Sequence, residues 1–175
     1  MIDYSNVPTL DGADNLGGTK QVIYAAPIGW FDELKGVRTT TAEGDSVTID
    51  GTHTFLAGKG FIKIPCTYDT TKLAQAMREE ADVTGGEITF EADIAGTKKQ
   101  LAEFARWGQN DRWIVLVVLP DNTLLQVGKD EELYAFAKFG FDTGTLTSGR
   151  RAFKMKVKAY QEGLLFYEGV ITLKP

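Results

Sequence analysis

The sequence predicts a mainly β protein. The expected form is a β-sandwich or partly open barrel of two packed, mostly antiparallel sheets, with one flanking α-helix at about 97–107. Three observations predict it. Several segments alternate apolar and polar residues with a period of two, which sets one strand face on a core and the other in water. The clearest places Ile88, Phe90, Ala92 and Ile94 on one face and Glu87, Thr89, Glu91 and Asp93 on the other. A second segment, residues 113–119, is apolar throughout and rich in β-branched side chains, so it reads as a strand covered on both faces. The connections are short and carry Gly, Asp, Asn and Pro, which favours antiparallel neighbours.

In chain order, residues 1–19 read as a flexible N-terminal arm, dominated by Asn, Asp, Gly and Pro, and residues 20–175 as a single domain. Residues 20–26 form the first strand, broken by Pro27 and Gly29. Residues 29–60 read as a long hairpin or loop standing off the domain, because their apolar side chains are sparse; Asp50-Gly51 is its turn signal. Residues 61–64 continue extended up to Pro65. Residues 70–81 fit a short helix or a loop, since Leu73, Ala76 and Met77 are helically spaced. After the alternating strand 87–94, Thr97 and Gln100 are spaced as a capping box. Leu101, Phe104, Ala105 and Trp107 or Gly108 then fall on one helical stripe. Pro120-Asp121-Asn122 turns the apolar strand into a return strand at 123–128. Leu133 to Phe141 and Phe153 to Ala159 alternate again, and residues 165–173 form the last strand, for a total of seven to nine.

A length of 175 residues and 43% hydrophobic content suit one domain with a proper core. The net charge of −5 disfavours a sequence-reading nucleic-acid binder but not a surface past which DNA slides. With one cysteine, no intramolecular disulfide forms. No signal-peptide pattern and no apolar run of membrane-spanning length is present, so the expectation is a soluble protein made in a reducing cytoplasm without a membrane anchor.

The residues do not assemble a recognisable chemistry. His53 is the only histidine and reads as a surface or half-buried residue, dispensable to function. Cys66, thirteen residues on, would meet it only through a turn near Gly58–Gly60, and alone builds no zinc site. Glu79-Glu80 and Glu131-Glu132 are adjacent solvated carboxylates. Gly17-Gly18-Thr19-Lys20 precedes a strand and lacks phosphate-loop spacing. Arg150 and Arg151 with Lys154, Lys156 and Lys158 make the one basic concentration, read as a solvated strand face or a contact for acidic surfaces of another subunit. The expectation is no enzyme, no cofactor and no metal.

The order of elements carries a resemblance. A strand ending in Ala26-Pro27 is followed by the long hairpin and by Gly60-Phe61-Ile62-Lys63-Ile64. Then come Ile88-Thr89-Phe90-Glu91-Ala92-Asp93-Ile94, the helix Gln100-Leu101-Ala102-Glu103-Phe104-Ala105, the strand 114–118, Leu125-Gln126-Val127-Gly128, and a Thr143-Gly144 turn before two closing strands. Over residues 20–173 this order resembles the tail tube proteins of tailed bacteriophages, especially small ones from phages of Bacteroidetes-like hosts. The resemblance implies a virion structural protein located in the tail and made in the host bacterial cytoplasm. It implies a homo-oligomer of stacked, usually hexameric rings around a DNA channel, with other virion tail proteins as partners and a role in DNA ejection. Virion ring, stopper and terminator proteins and the tubes of contractile injection systems share the implied fold.

The alternatives are a monomeric β-barrel or sandwich binding a small apolar ligand, and an enzyme. The bulky inward residues Phe90, Trp113, Phe139, Phe141, Phe153 and Phe166 favour a filled core over a ligand cavity. On the tube reading, Trp30, Phe31, Phe55 and Leu56 are the expected inter-subunit anchors, because buried aromatics dominate interface energetics. Glu87, Glu91 and Asp93 are the expected channel lining, an acidic wall that does not hold DNA.

Overall fold

The computed structural model describes residues 17–40, 42–77, 85–145, 149 and 151–175. The expected N-terminal arm lies almost wholly outside the described residues. The protein is mostly β, as predicted, with two main antiparallel sheets and one α-helix among the described residues. The first sheet has five strands. In chain order these are β1 (Val22–Pro27), β4 (Ile62–Pro65), β7 (Trp113–Val118), β8 (Leu124–Val127) and β11 (Leu165–Phe166), arranged β11-β8-β7-β1-β4. The second sheet has four: β5 (Lys72–Met77), β6 (Gly86–Ala95), β9 (Phe136–Asp142) and β10 (Ala152–Gln161), arranged β5-β6-β10-β9. A small ribbon pairs β2 (Phe31–Glu33) with β3 (Thr54–Phe55).

The inner faces of the two main sheets meet in an aliphatic core. Ile23 and Ala25 of β1, Ile64 of β4, and Trp113, Val115 and Val117 of β7 face Ile88, Phe90, Ala92 and Ile94 of β6 and Met155, Val157 and Ala159 of β10. Each large side chain so buried contributes roughly 1.5–3 kcal/mol. A corner joins the sheets, where Trp113 and Ala135 exchange backbone hydrogen bonds of 2.8 and 2.9 Å just before β9.

The helix α1 (Lys99–Gly108) closes this core beside β9. It starts at Lys98 without a side-chain cap, so the expected Thr97 capping box does not form. Phe104 inserts between Trp113 and Phe139, with ring centroids 5.7 and 5.6 Å away. Between the two candidates for the last stripe position, Gly108 takes the inward place. A Cβ there would already press on Phe139 and Trp113 at 3.3 Å, and the Trp113 indole N–H donates to the Gly108 carbonyl at 2.7 Å. Trp107 is turned outward instead, 61% exposed with Arg106 over its ring. Neither Gly108 nor Asn110 adopts the left-handed conformation expected at the helix stop. Asn122 does adopt it, in the turn after Pro120, where Asp121 accepts from the Thr123 N–H as predicted.

Four further expectations are corrected. Residues 72–77 of the ambiguous segment form the edge strand β5, because in register with β6 they place Leu73 opposite Phe90; residues 78–81 lie outside the described residues. Asp50-Gly51, the expected turn signal of segment 29–60, is no hairpin turn; a 3-10 turn at Asp45–Val47 precedes it. The last strand is only Leu165–Phe166; Leu173 makes a single parallel bridge to Phe61. Segment 29–60 returns on itself as a hairpin, but it does not stand off the domain. It folds over the outer face of the five-stranded sheet and builds a second core. There Ile49, Phe61, Leu116, Leu165 and Tyr167 are buried, and Phe31, Val37 and Phe55 pack against them. This ribbon is what covers the second face of β7, all six of whose residues are buried.

Candidate functional site

Three features of the surface and interior bear on function. The first is the outer face of the four-stranded sheet. Alternation along β6 does put Glu87, Glu91 and Asp93 on one face, as predicted. The same register puts Lys154, Lys156 and Lys158 of β10 on that face among them. Lys156 meets Glu91 at 2.6 Å, Lys158 bonds Glu87, and Lys154 pairs with Asp142 of β9 at 3.0 Å. The hydrogen bond from Lys158 holds the Glu87 carboxyl below its ordinary range, and that from Lys156 does the same for Glu91. Lys72 of β5 and Lys138 of β9 complete the face, opposite Glu91 and Lys156 respectively. The face therefore sets five lysines against the four carboxylates of Glu87, Glu91, Asp93 and Asp142, close to charge balance and not acidic. The basic concentration noted in the sequence is the other half of the acidic one.

The second feature is the pair of sheet edges. Among the described residues, no strand pairs with the outer edge of β5 or of β9. β9 exposes Lys138, Gly140, Phe141 and Asp142. Phe141 is half-exposed at 49% and meets Phe153 with the rings tilted and their centroids 4.9 Å apart.

The third feature is the interior of the ribbon, where the expected anchors divide. Phe31 and Phe55 lie 4.5 Å apart and both meet Phe61, so they hold the ribbon to its own sheet. The ammonium groups of Lys59 and Lys174 each lie over the Trp30 ring, 5.0 Å from its centroid. Leu56 alone is open to solvent, 46% exposed. The ribbon also carries a charged clasp at its far end. Arg38 reaches Glu168 at 2.9 Å and Asp45 at 3.5 Å, and Thr40 bonds Asp45. The bond from Thr40, then Arg38, keeps the Asp45 carboxyl below its ordinary range.

His53 is fully buried under this ribbon, against the expectation of a surface or half-buried residue. Its position is set by a continuous polar chain. The Lys35 N–H donates to His53 Nδ1 at 3.0 Å, which leaves the ring proton on Nε2 to donate to Gln126 Oε1 at 2.8 Å. Gln126 Nε2 donates to the Gly128 carbonyl at 3.0 Å, and the Gly128 N–H donates to Gln161 Oε1 at 2.9 Å. Gln161 Nε2 returns to the Gln126 and Gly163 carbonyls. Tyr167 stacks on the imidazole at 4.8 Å, accepts from the His53 N–H, and donates to the Val170 carbonyl. Burial pushes the His53 pKa down. The chain links ribbon, β8 and β10. Sequence reasoning singled out His53 but missed Gln126 and Gln161, although Gln161 is legible as a polar residue at the next inward position after Phe153, Met155, Val157 and Ala159.

Cys66 packs in the core between the sheets, away from the His53 ribbon core, and burial pushes its thiol up to about 12. The two do not form a nucleophile pair. Among the described residues no cluster of three metal-ligating side chains occurs, and no helix is long and apolar enough to cross a membrane. No protein-family model, curated protein or solved structure matches this chain.

Proposed function

We propose that this chain is a structural virion protein of a phage tail. Copies join through the four-stranded sheet into a closed ring, and rings stack into a tube around a DNA channel. The observation that carries the reading is that sheet: four antiparallel strands, both outer edges without a strand partner among the described residues, and a solvated, nearly charge-balanced face. Strands β5 and β9 run in opposite directions, since three antiparallel pairings separate them. Rotation about a ring axis preserves direction along that axis, so β9 of one copy would meet β5 of the next antiparallel. The alternation then continues without a break around a closed barrel. Six copies, the number the resemblance implies, would contribute about 24 strands, beyond the roughly 16–18 at which a barrel already leaves an aqueous channel.

In that ring Glu87, Glu91 and Asp93 line the lumen together with Lys154, Lys156 and Lys158. The carboxylates among the lysines offset most of the charge with which those would bind phosphates and release counterions, so a duplex is held only weakly. The resemblance in element order supports the virion assignment. A monomeric module enclosing an apolar ligand is the weaker reading, because Phe90, Trp113 and Phe104 fill the space between the sheets and helix. Light scattering over a range of concentrations, with electron microscopy of the same samples, tests the proposal. Closed rings or tubes are the expected result. A protein that stays monomeric at high concentration, with and without partner virion proteins, overturns it.

A further inference from the structure

His53 is the only histidine in the chain, and both of its ring nitrogens are engaged inside the second core. We propose that it is a pH-sensitive latch: protonation of His53 releases the ribbon of β2 and β3 from the five-stranded sheet while the sandwich beneath stays folded. The geometry leaves the incoming proton one place to go. Nε2 already carries hydrogen toward Gln126, so protonation occurs at Nδ1. That nitrogen is the acceptor for the Lys35 N–H at 3.0 Å, and two donors would then face each other. The new charge would sit among Phe31, Phe61 and Tyr167, whose ring is stacked on the imidazole.

The groups facing the imidazole offer it no compensation. From the segment after β2 comes Lys35, of the same sign, with its ammonium 2.7 Å from Glu33. From the C-terminal segment comes the Tyr167 phenol, whose own pKa burial raises, and from β8 the neutral Gln126. Among the described residues no carboxylate hydrogen-bonds the ring. The remaining ionic clasp on the ribbon, Arg38 with Asp45 and Glu168, is separable from this step. Asp45 is held below the ordinary carboxylate range and keeps its charge where a histidine titrates.

The sign follows from linkage. The folded pKa of His53 is lowered, so the released ribbon binds a proton more readily than the closed one. The latch is at full strength above the ordinary histidine range, about 6.5. It weakens as pH falls from there through the lowered folded value, by up to about tenfold in the opening equilibrium per pH unit. The released element is a ribbon held by two residue pairs, Phe31 with Phe55 and Glu33 with Thr54, whose hold on the sheet depends on this second core, whereas β6 and β10 pair along ten residues each.

A single histidine makes the experiment direct. Imidazole nitrogen and carbon shifts of the wild-type protein are followed by NMR from pH 7.5 to 4.5. Amide hydrogen exchange of residues 31–55 and of β6 and β10, corrected for intrinsic rates, is measured over the same range. The expected result is an Nε2–H tautomer at pH 7.5, a midpoint below 6.5, and loss of protection in the ribbon with that same midpoint while β6 and β10 stay protected. His53→Gln keeps an acceptor and a donor but cannot titrate, and should remove the step. An imidazole that titrates while the ribbon stays protected overturns the proposal, and so does ribbon opening at the same pH in His53→Gln. If that variant does not fold, the wild-type titration alone decides, by the coincidence or separation of the two midpoints.

Discussion

Val115 and Leu116 are neighbours in β7 and enter different cores. Val115 joins Ile88, Phe90 and Val157 between the two main sheets. Leu116, on the opposite face, joins Ile49, Phe61 and Tyr167 under the ribbon. The first core is mostly aliphatic, with Phe90, Trp113 and Phe104 within it, and comes largely from long regular strands. The second is richer in rings for its size, assembled from short pieces of many segments, and threaded by the His53–Gln126–Gln161 chain. The difference separates two kinds of stability. Long ladders with aliphatic faces fail all at once, whereas a layer held by rings and one polar chain can open by itself.

The largest effect should come from cutting each core with the same substitution. Phe90→Ala removes a side chain with no exposure, at a cost of about 3–5 kcal/mol to the whole domain. Phe61→Ala removes a ring that touches Phe31 and Phe55, and its loss should appear first as exchange of the ribbon amides, with a smaller shift in the global denaturant midpoint. Equal global shifts in chemical denaturation, with no early ribbon opening, would merge the two cores into one cooperative unit.

A smaller effect tests the polar chain. Gln126→Leu leaves the His53 Nε2–H without its acceptor in a buried site, a loss of about 1–3 kcal/mol. The loss should fall mainly on ribbon protection in hydrogen exchange. The smallest effect lies on the charged face. Lys138 stands directly opposite Lys156, a like-charge pair. Lys138→Glu should stabilise the fold by about a few tenths of a kcal/mol, read as a slightly raised thermal midpoint, and by less at high salt.

The first core was readable from the sequence for a physical reason. Its residues follow one another with a period of two in β6 and β10 or as an unbroken run in β7, and such patterns need no knowledge of the partner. The second core has no pattern of its own. Val37, Ile49, Phe55 and Phe61 are spread over 25 residues of Gly- and Thr-rich chain, so the segment looked too poor in apolar side chains to pack. A hint was present in β7 itself, because a run with two apolar faces requires two covers. The acidic and basic stripes were each legible, but only the β6–β10 register reveals that they share one face. The spacing of Leu73, Ala76 and Met77 suggested a helix where pairing with β6 makes a strand, a case of tertiary pairing overriding local propensity.

Ring closure through the four-stranded sheet is the central claim, and disulfide trapping tests it most directly. Ala74→Cys on β5 is combined in turn with Phe136→Cys, Lys138→Cys or Gly140→Cys on β9, sampling the registers in which the two edges can meet. Cys66 is left in place, since its buried thiol is pushed up to about 12 and does not compete. On mild oxidation, one of the three pairs should give a covalent ladder that stops at the subunit number of the ring seen by electron microscopy. Folded protein that remains monomeric in all three pairs at high concentration would contradict the account.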